Sequence, residues 1–175
     1  MLLSPGLGIC DELAENVELS DIIVTNTRDD LILYFRAKNF FSQVIKTAIQ
    51  DGISAKITFN ISFYKVRGLW PDKQLIQQVF IHTLKYNELK GEFSVVCGEH
   101  NTRSVVNAFD EAQHVMEYVD NLAIIPLGRL LKGRKYQVRI KAQLDIGATP
   151  TYLKYLMFFA NQGINTNMYT IDFTY

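Results

Sequence analysis

The chain has 175 residues, a formal net charge of zero, 48% hydrophobic residues and 21% charged ones. That balance excludes wholesale disorder, and the length sets one domain that buries roughly 70% of its unfolded surface, enough for a core without staples. No apolar run approaches the roughly 18 residues of a membrane span.

The opening MLLSPGLGIC is too short and lacks the basic region of an intact signal peptide, and Ile9 before Cys10 speaks against a lipoprotein. It reads as the stump of a removed signal or anchor. The expected location is therefore periplasmic or membrane-associated if a signal was trimmed, and cytoplasmic otherwise. Residues 1–19 read as a disordered or trimmed acidic tail ahead of a single domain over 20–175.

A first strand is expected over 21–25, closed by turn residues Asn26 to Asp30. A second follows from Leu31, with Leu33, Phe35 and Ala37 on one face. Asn39 is placed to cap a helix whose stripe is Phe41, Val44, Ile45, Ala48 and Ile49, stopped by Gly52. Then comes the cleanest alternation in the chain: Ala55, Ile57, Phe59, Ile61 and Phe63 against Lys56, Thr58, Asn60, Ser62 and Tyr64. Pro71 and Asp72 mark a turn and put Trp70 at the strand's end. Residues 75–86 and 91–99 form a hairpin, with His82 mid-strand as a partly buried, hydrogen-bonded histidine and Cys97 as a core thiol. A disulfide between Cys10 and Cys97 stays open, and compartment is not readable from this pair.

A short strand over 103–107 precedes a helix capped by Asn107, with Phe109, Ala112, Val115 or Met116, and Val119 as its stripe. AIIPLGRL is extended. Tyr136, Val138, Ile140, Ala142 and Leu144 alternate with Lys135, Gln137, Arg139, Lys141 and Gln143 in the next strand. Thr149 and Pro150 open a helix to about Asn161, with a buried strand as the alternative, and MYTIDFTY closes the chain as a strand. Seven or eight alternating strands and two or three short helices predict a mainly β fold: an antiparallel β-sandwich, immunoglobulin-like in general architecture.

Catalytic chemistry finds no support, and no enzyme, catalytic residue, metal or cofactor is expected. His82, His100 and His114 are dispersed, and the cysteines lie 87 positions apart. GRLLKGRK at 128–135 imitates a phosphate loop, but Arg134 holds the lysine position and a strand follows where a helix is required. The charges, by contrast, are segregated. Residues 1–30 carry seven acidic side chains against Arg28 alone, and residues 126–154 carry seven basic ones against Asp145 alone.

Three candidate surfaces follow. Arg67, Trp70, Asp72 and Lys73 combine an aromatic with both charge signs, the mixture of an interface hot spot, against the plainer expectation of a turn with Trp70 tucked into the core edge. Arg129, Lys132, Arg134, Lys135, Arg139 and Lys141 form a candidate anionic-surface patch. Tyr152, Tyr155, Phe158 and Phe159 are either membrane-facing aromatics or a lid over the sandwich. Nucleic acid is not expected as a partner, because the near-neutral charge lacks its basic footprint.

Five phrases in order, TRDDLILYF, YKVRGLWPDK, HTLKYNELKGEFSV, IPLGRLLKGRKYQVRIKAQLD and MYTIDFTY, resemble an uncharacterised bacterial family known as a domain of unknown function. The resemblance covers roughly residues 21–175. It implies an exported or envelope-associated protein with an N-terminal signal, often encoded beside a nitrogen-regulation-type sensor histidine kinase. The expected function is a non-enzymatic, signalling-associated interaction module of the cell envelope, contacting a membrane surface or a membrane protein such as that kinase. The alternative is a small-molecule-binding sensor with a pocket between the sandwich layers.

Overall fold

The central strand of the molecule is β3 (Ala55–Lys65), flanked by β4 (Lys73–Asn87) on one side and β8 (Lys135–Ile146) on the other, all antiparallel. Its five inward side chains, Ala55, Ile57, Phe59, Ile61 and Phe63, are wholly buried. The period-two pattern thus puts one face entirely into the core. A computed structural model describes residues 17–147 and 164–175.

From β3 the large sheet extends through β4 to β5 (Glu92–Cys97) and β6 (Thr102–Val106), and through β8 to β10 (Tyr169–Thr174). The two-residue β9 (Ile164–Asn165) pairs with the far end of β8 and completes seven strands. A second, three-stranded sheet has the order β1 (Glu18–Asn26), β2 (Asp30–Lys38), β7 (Tyr118–Pro126). It lies over the inner face of the large sheet, where Phe35 of β2 meets Phe59 of β3 edge-on at 5.4 Å. Helices α1 (Gln43–Gln50) and α2 (Phe109–Glu117) also pack against the large sheet. The architecture is a mainly β, antiparallel sandwich with short helices, as the alternation predicts.

The similar alternation of 31–38 and 55–64 suggests two strands side by side with one shared apolar face. Instead they belong to opposite sheets and face each other across the core, because α1 between them carries the chain from one layer to the other. The closing strand does join the face of β3 and β8: Ile171 is opposite Val138, which is opposite Phe63. Phe63 stacks on Tyr136 at 5.4 Å and lies 6.1 Å from Phe173.

Both expected helix caps move. Asn39 has φ of 67°, outside the extended region an N-cap requires, so the chain turns there and α1 starts later, with Ser42 accepting from the Ile45 N–H. Ile45, Ala48 and Ile49 are buried as read, whereas Val44 is exposed. Gly52 does end the helix, at φ +86°, with its N–H donating to Ile49 O. The N-cap of α2 is Ala108, not Asn107, with no side-chain cap; Asp110 and Glu111 in the first turn suit the helix dipole instead. Val119 is buried, but in β7, because α2 passes directly into that strand. The proposed segment from Thr149 to Asn161 lies outside the described residues.

Phe59 touches both layers, and Ile140 sits opposite Ile61 in the same buried face. Replacing either by alanine should cost about 2–5 kcal/mol. Chemical denaturation measures this, and unchanged midpoints for both variants would contradict the register.

Candidate functional site at the loop end of the sandwich

Two of the three sequence candidates converge on one end of the sandwich. The β3–β4 loop, 66–72, leaves the large sheet beside the segment that leads into β8, where the Val66 N–H donates to Lys135 O at 3.0 Å. That segment begins with a single 3-10 turn (Leu127–Arg129) and is anchored by the Tyr136 hydroxyl, which accepts from the Leu131 N–H at 2.8 Å. The Leu127 N–H donates to Asp29 O, tying in the β1–β2 turn, and the Tyr175 N–H donates to Arg134 O.

What this end presents is unusual for a surface. Leu69 is 95% exposed, Trp70 74% and Leu131 55%. The expectation that Trp70 tucks against the core edge is overturned: β3 ends at Lys65, β4 begins at Lys73, and the loop between them leaves the indole exposed to solvent. Arg67, Lys73, Arg129, Lys132, Arg134 and Lys135 are all exposed around these apolar groups.

Arg139 and Asp72 do different work. Asp72 accepts from the Arg67 backbone N–H through Oδ1 and from Arg139 Nη2 through Oδ2, at 3.2 and 3.3 Å. The Arg139 guanidinium also donates to Gln137 and lies over the Tyr64 ring at 4.2 Å. The pair holds the β3–β4 loop against the outer face of β8, so Arg139 leaves the free basic patch and Asp72 leaves the hot spot. Lys141 is exposed two residues further along β8, away from the loop end. Tyr152, Tyr155, Phe158 and Phe159 lie outside the described residues.

A second constellation, not anticipated from spacing, lies inside. His82 of β4 sits directly opposite Cys97 of β5, and Glu99 follows in the β5–β6 turn. His82 is wholly buried and the Glu99 side chain is only 4% exposed. His82 Nδ1 donates to Met116 O at 2.9 Å, and Nε2 meets Glu99 Oε2 at 2.6 Å. The Cys97 thiol points to Val115 O at 3.9 Å. Thus the last carbonyls of α2, which have no partner within the helix, are met by β4 and β5 side chains. Hairpin register could have found the pair: His82 is five residues before Asn87 and Cys97 five after Glu92, and Asn87 and Glu92 face each other at the turn. Gly98 is required here, because a Cβ would come within 2.7 Å of Ile81 O.

The next residue of the α2–β7 junction is held from the other layer. Glu117, 1% exposed, accepts from Arg36 of β2 at 2.8 Å and from Gln113 at 2.7 Å. No sequence signal links Arg36 to Glu117. The described surface also has a depression of about 400 Å³ lined by Lys85, Tyr86, Glu88, Leu89 and Arg103, at the β4–β5 turn and not between the layers.

The fold and this end define a helix-decorated β-sandwich with an apolar, basic loop tip. The chain belongs to the family described as Domain of unknown function (DUF4390), which residues 14–172 match. No curated protein and no solved structure matches it. No helix among the described residues is long and apolar enough to cross a membrane.

Two outcomes follow from this geometry. Because Trp70 is 74% exposed, Trp70→Ala should shift folding stability by no more than about 0.5 kcal/mol in denaturant unfolding. The second concerns pH. Burial works to lower the His82 pKa, but the neighbouring Cys97 and Glu99 side chains more than offset it and raise it from 6.5 to about 9. Burial works to raise Glu99, and the hydrogen bond and charge of His82 win and lower it from 4.5. The His82 contribution is therefore complete below about pH 6.5 and lost as pH rises through about 9. That of Glu99 is present above 4.5 and lost as pH falls through its lowered value. Denaturation midpoints should decline between pH 6.5 and 9, and Glu99→Gln, which leaves Cys97 in place, should reduce that decline.

Proposed function

We propose that this protein is a non-enzymatic docking module of the bacterial envelope that lays its loop end on an anionic membrane surface. One observation carries the reading: Leu69, Trp70 and Leu131 stand exposed at one end of the sandwich, among six exposed basic side chains. Water penalises such a display. A bilayer interface rewards it, since indole rings settle at the headgroup level and basic side chains meet anionic lipids. Near an anionic leaflet each Lys or Arg contributes about 1 kcal/mol, an attraction that salt screens.

The Arg139–Asp72 pair supports the reading from behind, because it fixes the β3–β4 loop and lowers the ordering cost of docking. The sensor alternative asks for a ligand pocket between the layers. Among the described residues a depression of about 400 Å³ lies at the β4–β5 turn, and aromatic contacts occupy the interlayer region around Phe59.

Co-sedimentation with vesicles is the test. Binding to vesicles containing anionic lipid should exceed binding to neutral ones at low salt and weaken as salt rises. Arg134→Glu removes one positive charge and adds a negative one, about 2 kcal/mol, so affinity should fall roughly thirtyfold. Trp70→Ser should weaken binding while leaving the salt dependence in place. Equal binding to neutral and anionic vesicles, or none to either, would contradict the proposal.

A further inference from the structure

The geometry points to a second site, separate from the loop end: His82, Cys97 and Glu99 form a buried three-residue centre for a zinc-class divalent metal ion. One ring nitrogen of His82, Cys97 Sγ and a Glu99 carboxylate oxygen already lie within 4.8 Å of one another, and Nε2 is the nitrogen that meets Glu99. A tetrahedral zinc centre holds such atoms roughly 3.3–3.6 Å apart, so the set needs a small opening between His82 and Glu99 and a small closing on Cys97. Glu99 sits in the β5–β6 turn, outside the ladder, where its side chain can make that adjustment.

The orientation of His82 separates this reading from a nucleophile with its base. A base for Cys97 would have one ring nitrogen given over to the thiol, whereas the near contacts of both nitrogens are oxygens, Met116 O and Glu99 Oε2, and the thiol, though close to the ring, points to Val115 O. A metal-ligating histidine has the arrangement seen here. Its far nitrogen donates to a backbone carbonyl, Met116 O at 2.9 Å, which fixes the ring and directs Nε2 at the carboxylate. Soft thiolate, imidazole and carboxylate together suit zinc better than magnesium or calcium, which prefer oxygen alone.

Charge balances in both states. Without the ion, one proton lies between Nε2 and Oε2, and the thiol hydrogen is directed at Val115 O. Coordination releases both, and the dication then stands against one thiolate and one carboxylate. The centre is neutral before and after, as its burial demands. The ion ties β4 to the β5–β6 turn, beneath the C-terminus of α2, and a solvent or added ligand completes the fourth position.

Cobalt(II) titration of the reduced full-length chain tests the assignment. One equivalent should produce a near-ultraviolet thiolate-to-cobalt charge-transfer band that zinc displaces, and zinc should raise the melting temperature. Cys97→Ser should lose the band and Cys10→Ser should keep it. Glu99→Gln, nearly isosteric and in a turn, should keep the fold by circular dichroism and weaken cobalt binding at least about tenfold. No band at excess cobalt, a band that follows Cys10, or an unchanged affinity in Glu99→Gln would each overturn the site.

Discussion

Everything in this molecule depends on covering the inward face of β3. Five wholly buried side chains in one eleven-residue strand cannot be sheltered by the strand's own sheet. The sheet therefore needs a second layer, and the chain builds it from two sources. The small sheet lies over the aromatic centre at Phe59, and the helices pack beside it against β4 and β5. A fully buried phenylalanine contributes about 1.5–3 kcal/mol, so the Phe35–Phe59 contact is a large part of what holds the layers together.

Apolar contact brings layers together without specifying how they sit. The α2–β7 junction supplies that specification. There the chain turns from helix to strand in consecutive residues: Met116 is held by His82 of the large sheet, and Glu117 by Arg36 of the small one. Buried ion pairs are weak contributors to net stability, because desolvation offsets most of their attraction, but removing one partner leaves an uncompensated charge at about 3–5 kcal/mol. The Arg36–Glu117 ion pair, and the hydrogen bond from His82 to the Met116 carbonyl beside it, thus penalise misdocked arrangements more than they reward the native one. The three-residue centre around His82 is continuous with this junction, so a bound ion would stiffen the same seam.

The layered fold was legible in the sequence because alternation is a local signal. Ala55 to Phe63 and Tyr136 to Leu144 state their faces directly, and the 87–92 turn states the hairpin that carries His82 and Cys97. What escaped was non-local. Nothing in LILYFRAK says that it faces β3 across the core and not alongside it. The helix caps were misplaced because Asn39 and Asn107 have the right chemistry one to three residues from where the backbone permits a cap. Arg67 and Arg134 were each visible as basic, but their common end follows from β3 pairing with β8 over eleven positions. His82 reads in the sequence as a partly buried, hydrogen-bonded histidine; its partner Glu99 escapes that reading because it lies beyond the strand.

The loop end is what the fold leaves over after the core is closed: an exposed indole and two exposed leucines among basic side chains. Trp70 is the only tryptophan in the chain, so its fluorescence reports on that tip alone. With anionic vesicles whose acyl chains carry bromine just below the headgroup, the account predicts strong quenching of Trp70 at low salt, lost at high salt. Emission that stays unquenched while the protein is bound would contradict it, because the protein would then meet the membrane by some other face.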